Sequence, residues 1–206
     1  MKTTLITLLL SVLVFVGCAE DSSFLTSVDE QINHQSNSPN YIQLPGNEGM
    51  SVENQFSVTE YVTKKNGGEL IIDESYYGGP HGEVKVIAKF KLFKNTLKNK
   101  STMITMTIDN ESGAILFSPP TIFNKAAELY VKFEGLDLSN VNPEDIEFVD
   151  LTPDNNVYPV QYESLVVDVA SGTIELKVKP FIVDDSRISY NVMEFGGSRY
   201  SFIRDK

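Results

Sequence analysis

Two histidines, one cysteine and 28 acidic side chains are what this 206-residue chain offers for catalysis. A serine or cysteine nucleophile needs a base held beside it. His34 lies in a polar stretch with no period, where no fixed geometry is expected. His81 lies in the glycine-rich loop Gly78-Gly79-Pro80-His81-Gly82. It reads there as an exposed turn residue or, alternatively, as a metal ligand or base. No Gly-x-Ser-x-Gly elbow, His-Glu-x-x-His pair or phosphate-cradling glycine loop occurs. Glycoside hydrolysis needs two carboxylates about 5–10 Å apart. The acids allow many such pairs and select none. Glu134, Asp137, Glu144, Asp145, Glu147, Asp150 and Asp154 form a run without a basic residue. It lacks the Asp-x-Asp-x-Asp-Gly spacing of a calcium loop and reads better as a solvated acidic edge. No catalytic set, metal site or cofactor is assigned.

Residues suited to binding are easier to find. Lys85, Lys89, Lys91, Lys94, Lys98 and Lys100 follow one another with no acid between Val84 and Ile108. Lys85, Lys89 and Lys91 share one strand face, interleaved with Ile87 and Phe93. They suit an anionic glycan, a lipopolysaccharide or an acidic protein patch. Alternatively they guard an exposed strand against edge-to-edge pairing. Tyr76 and Tyr77 flank the Gly78–Gly82 loop, and Tyr158, Tyr162, Tyr190 and Tyr200 add aromatic surface. Such rings stack on sugars or serve as cross-strand partners. The candidate ligand contacts are therefore Tyr76, Tyr77, His81, Lys85, Lys89 and Lys91.

The elements that carry these residues begin with an address. Lys2 precedes an apolar run from Leu5 to Val16, which is too short for a comfortable membrane span and fits a signal-peptide core. Phe15-Val16-Gly17-Cys18 puts a small residue directly before the only cysteine. This resembles the lipobox of bacterial lipoproteins, with Phe15 where that family most often has leucine. The resemblance implies that residues 1–17 are removed and that Cys18 is lipidated. The alternative is an ordinary secretory signal with Cys18 near its cleavage site. One acyl chain anchors only marginally, so two or three on Cys18 would make a stable membrane tether. The acidic pair in Ala19-Glu20-Asp21 resembles the surface-export signal of Bacteroidetes-type lipoproteins. It implies outer-membrane anchoring, with surface exposure favoured over a periplasmic face.

Residues 18–55 read as a lipid-anchored flexible spacer. Polar residues dominate, and the scattered Phe24, Leu25, Ile32, Tyr41 and Ile42 bury too little to offset chain entropy. A short helical turn near Ser27–Asn33 is the one element expected there. From Phe56 on the period is two: Val84, Val86, Ala88, Phe90 and Leu92; Ile104, Met106 and Ile108; Leu129, Val131 and Phe133; Leu165, Val167 and Val169; Ile174, Leu176 and Val178. Such alternation puts one face in a core and one in water. Turn signals separate the runs at Asn66-Gly67-Gly68, Gly78–Gly82, Asn110-Glu111-Ser112-Gly113 and Ala170-Ser171-Gly172, the last a hairpin candidate. Asn142-Pro143-Glu144-Asp145 has room for one short helical turn. The spacing predicts an all-β, antiparallel, immunoglobulin-like sandwich over residues 56–206.

Within that body, Lys65-Asn66-Gly67-Gly68 opens a strand and Leu92–Leu97 forms a step. Thr102–Asp109 is a threonine-isoleucine strand, and Phe117-Ser118-Pro119-Pro120 leads into Ala127–Val131. Together these resemble a ZU5-type β-sandwich domain over residues 56–145, with 146–206 completing or extending the strands. A generic immunoglobulin-like sandwich is the alternative. Some ZU5-containing proteins cleave themselves at a His-Phe-Ser step. Glu194-Phe195-Gly196-Gly197-Ser198 is the nearest stretch here and has no histidine. The resemblance therefore implies an interaction module.

Composition narrows the rest. A hydrophobic share of 41% and a charged share of 22% fit a folded chain and exclude general disorder. A net charge of −11 makes sequence-independent binding to nucleic acid unfavourable. One cysteine rules out an internal disulfide framework. The expectation is a non-enzymatic, lipid-anchored cell-envelope protein that binds or scaffolds an envelope protein or glycan. A carbohydrate-binding or glycan-processing accessory lipoprotein is the alternative. A hydrolase with an unrecognised carboxylate pair ranks third.

Overall fold

A computed structural model describes residues 40–46, 55–110, 112–119, 121–151, 156–178, 194–195 and 199–204. Residues 1–17, read above as a signal peptide, Cys18, His34, the turn expected near Ser27–Asn33, Tyr190 and Gly196–Ser198 lie outside the described residues.

Strand alternation is realised throughout. β1 is Asn40–Tyr41, β2 Gln55–Thr63, β3 Gly68–Gly79, β4 Gly82–Leu92, β5 Ser101–Asp109, β6 Ala114–Ser118 and β7 Thr121–Ile122. β8 is Glu128–Glu134, β9 Ile146–Leu151, β10 Val157–Pro159, β11 Ser164–Asp168, β12 Thr173–Val178, β13 Glu194–Phe195 and β14 Arg199–Arg204. A 3₁₀ turn at Pro143–Asp145, capped by Asn142, stands where a helical turn was expected. One sheet runs β10-β9-β14-β6-β5-β2, with β1 also on β14; the other runs β11-β12-β8-β4-β3. Every pairing is antiparallel. The protein is an all-β sandwich.

The alternating residues meet between the sheets. Val84, Val86, Ala88, Phe90 and Leu92 of β4 are buried against Ile104, Met106 and Ile108 of β5 and the matching sets of β8 and β12. A file of rings runs through this core: Phe123, Phe90, Phe117, Tyr200, Phe148, Phe202 and Phe133, each 4.5–6.2 Å from the next. Offset and edge-on contacts of this kind contribute roughly 0.5–1.5 kcal/mol each beyond burial.

The body begins earlier than the sequence pattern placed it. Residues 40–46, read above as spacer, are part of the sandwich. β1 pairs Asn40 with Arg204 and Tyr41 with Ile203. Ile42 and Leu44 follow, only 4% and 5% exposed. Their backbone N–H groups donate to Phe202 and Asn110 at 3.0 and 3.1 Å. The Asn66–Gly68 signal also differs from a simple hairpin, because β2 and β3 lie in different sheets and this turn carries the chain across.

Candidate functional site

Antiparallel pairing gives the sandwich two ends, and the loops divide between them. At one end lie residues 40–46, the β3–β4 hairpin, the β5–β6 turn and the β8–β9 connection. At the other lie the β2–β3 turn, the β4–β5 loop and the stretch from β6 to β8.

An open cavity of about 580 Å³ occupies the first end, lined by residues 40–46 together with Pro80, Asp137, Val141 and Arg204. Arg204 is half-buried, and its Nε has no hydrogen-bond partner among the described residues. Asp137 accepts from the hydroxyl and backbone N–H of Ser139 at 2.7 and 3.2 Å. Those bonds, with the nearby His81 charge, hold its carboxyl below the usual range. Arg204 was missed in the sequence, and Asp137 was read only as part of an acidic run. The only signal for this wall was the short alternation Ile42-Gln43-Leu44.

The sequence candidates do not converge. Successive strand residues point to opposite faces, so Tyr76 turns inward and Tyr77 outward. Tyr76 stacks on Phe56 at 5.9 Å and donates its hydroxyl to the Pro45 carbonyl at 2.8 Å. Its ring and hydroxyl are thus used by the fold, and burial pushes its pKa up to about 12. Tyr77 is 74% exposed, and His81 is exposed at the hairpin tip.

Lys85, Lys89 and Lys91 do share the outer face of β4, as expected, but β4 is not an edge. It is paired on both sides, by β3 and β8, so edge guarding is not its role. Both neighbours supply acids. Lys85 stands opposite Glu134 and lies 3.7 Å from Asp73. Lys91 stands between Glu69 and Glu128, with its ammonium 5.2 Å over the Phe93 ring. Lys89 stands between Ile71 and Tyr130. On the same face Lys132 pairs with Glu134, and Lys177 with Glu175 at 3.2 Å. A stripe that is purely basic along the chain is therefore largely neutralised across the sheet.

The second end is different. The Lys64 N–H donates to Lys100 at 2.8 Å, and the Asn95 N–H to Lys64 at 2.8 Å. The Asn124 N–H donates to Thr96 at 2.6 Å, and its side chain to Leu97 at 3.3 Å. Leu97 also forms a β-bridge with Phe123. These bonds knit three loops into one surface carrying Lys64, Lys65, Lys94, Lys98, Lys100 and Lys125. The loop stretches 64–68, 93–101 and 118–127 contain no acid. All six lysines except half-buried Lys64 are exposed. No carboxylate among the described residues is paired with any of them.

Among the described residues, no three His, Cys, Asp or Glu side chains stand together as a metal site. No helix among them is long and apolar enough to cross a membrane. Comparison with protein-family models, curated proteins and solved structures finds no match.

Proposed function

We propose that this chain is a bacterial lipoprotein, exported by residues 1–17 and anchored to the outer membrane through lipid on Cys18. Its sandwich acts as a non-catalytic binding or scaffolding module at the cell surface. The observation that carries the binding reading is the division of the sandwich into two ends. Residues 40–46 are stitched into one, and the other presents a joined loop surface. The ZU5-type reading of residues 56–145 belongs to the same proposal. In its support, the strand signals behind it fall on β3, β5 and β8.

The test is protease digestion of intact cells beside a Cys18→Ser variant. The expected result is digestion of the wild-type body while periplasmic markers survive, with Cys18→Ser leaving the membrane fraction. A Cys18→Ser protein that still sediments with membranes overturns the anchor. A body protected until the outer membrane is opened overturns surface display.

A further inference from the structure

We infer that the lysine-bearing end of the sandwich, built by loops 64–68, 93–101 and 118–127, is a docking surface for an acidic polysaccharide. This deepens the binding-module reading and rests on it.

Charge is the first argument. The chain is net −11, yet Lys64, Lys65, Lys94, Lys98, Lys100 and Lys125 gather where the contributing loops hold no acid. Glu69 and Glu128, the first acids along β3 and β8, stand opposite Lys91 at the rim of the cap. Strands of 9–12 residues separate this end from the acids Asp137, Glu144 and Asp145 at the other. At about 3.3 Å per residue that is some 30–40 Å. The screening length in physiological salt is about 8 Å. A ligand at the cap therefore feels the six lysines, with Glu69 and Glu128 at their rim, and not the acids of the far end.

Side-chain chemistry decides between a glycan and a membrane. Asn66, Asn95, Asn99 and Asn124 are exposed among the lysines. Amides donate to and accept from hydroxyls, which a sugar chain offers at every residue. Binding to a lipid surface gains much of its strength from apolar side chains that enter it. Of the apolar residues of these loops, Leu97 is 1% and Phe123 6% exposed, both in the core, while Phe93 is 39% exposed. Phe93 lies beneath the Lys91 ammonium. The cap offers six lysines and four exposed amides against one exposed ring, Phe93, which the Lys91 ammonium partly covers.

The full-length protein in a neutral detergent is tested on immobilised polygalacturonate, with dextran and phosphatidylglycerol vesicles as comparisons. Retention on polygalacturonate is expected to fall steeply as salt rises, the mark of counterion release. Lys64→Gln/Lys94→Gln/Lys98→Gln/Lys125→Gln should weaken it at least about tenfold. The same four positions as arginine should retain it. Lys85→Gln/Lys89→Gln, on the neutralised sheet face, should stay within about twofold. Thermal unfolding of each variant confirms that it is folded. The proposal is overturned by absent retention at low salt, by equal loss in both glutamine variants, or by equal binding to dextran. Tighter binding to the vesicles than to polygalacturonate also overturns it, in favour of a membrane. Cleavage of the captured glycan would instead overturn the non-catalytic reading and leave the docking surface standing.

Discussion

The hydroxyl of Tyr76 donates to the carbonyl of Pro45 at 2.8 Å, joining β3 to a segment that precedes it by 31 residues. This bond and the Phe56 stacking beneath it fasten residues 42–46 to the sandwich. Tyr76→Phe keeps the ring and removes the donor, leaving the Pro45 carbonyl unsatisfied. The expected loss is about 1 kcal/mol in urea unfolding, with binding to polygalacturonate unchanged. A loss of glycan binding in this variant would return Tyr76 to the list of ligand contacts.

The same phenol makes a statement about alkaline pH. Its folded pKa, about 12, lies above the ordinary value near 10 because burial disfavours the phenolate. The neutral phenol's contribution to stability is complete below pH 10 and is lost as pH rises toward 12. Tyr200 is shifted the same way by deeper burial and by nearby Asp150. Absorbance titration of the folded protein should show phenolates that appear late and together with unfolding. Smooth titration of every tyrosine near pH 10 with the fold intact would contradict both shifts.

Two glycines at the same end of the sandwich should answer alanine substitution very differently. Gly172 has φ +64, and a Cβ there would lie 2.2 Å from the Leu136 carbonyl oxygen, which is fixed backbone. Gly82 has φ +94 with open space around it. Gly82→Ala meets only conformational strain, about 1–2 kcal/mol. Gly172→Ala adds a backbone collision and should cost more than about 3 kcal/mol. Equal unfolding midpoints for the two variants would sink the distinction.

Asp168 closes the β11–β12 turn. Its carboxylate accepts from the Ala170 N–H at 3.0 Å and the Ser171 hydroxyl at 2.7 Å. Those bonds, the Ser171 ones foremost, hold its carboxyl below the usual range. The stabilisation is present above the ordinary carboxyl pKa near 4 and lost as pH falls through the folded value. Asp168→Ala should therefore be less stable than wild type at pH 6, with the gap closing in strong acid. A gap that persists at pH 2 would mean the carboxylate charge is not its source.

In the core, Phe90 packs 4.5 Å from Phe117 and 6.2 Å from Phe123 and is fully buried. Phe90→Ala should cost about 3–5 kcal/mol by denaturant unfolding. Phe123 belongs to the lysine-bearing end. The milder Phe90→Leu should thus lower stability while leaving polygalacturonate affinity near wild type. A stability change below 1 kcal/mol for Phe90→Ala would contradict the ring file.

Much of the fold was legible because β4, β5, β8 and β12 carry unbroken alternation and end at glycine turns. Other elements hide their period. In β9, Phe148 and Val149 are consecutive and both buried, so Ile146–Leu151 shows no clean alternation. After β1 only Ile42 and Leu44 alternate, too short a run to outweigh the polar residues before it. The lysines show a deeper limit. Val84–Ile108 reads as one basic stripe, but strand pairing sets Asp73 and Glu134 beside Lys85. Loop closure then sets Lys64 and Lys125, distant in sequence, beside Lys98 and Lys100. Charge along a chain and charge across a surface are different quantities, and only the second is felt by a ligand.

The two-residue pairing of β1 has a mechanical side. Suppose the molecule is held through its N-terminal side while the lysine loops grip a polymer. Tension then runs parallel to the strands. Antiparallel backbone bonds lie across that direction, so the long ladders of β3, β4 and β8 resist it in shear, many bonds at once. β1 opposes the same pull with two paired residues, the bonds of Ile42 and Leu44 and the Tyr76–Pro45 contact. Under rising load β1 slips first, freeing a few residues on the N-terminal side while the sandwich and its grip stay whole.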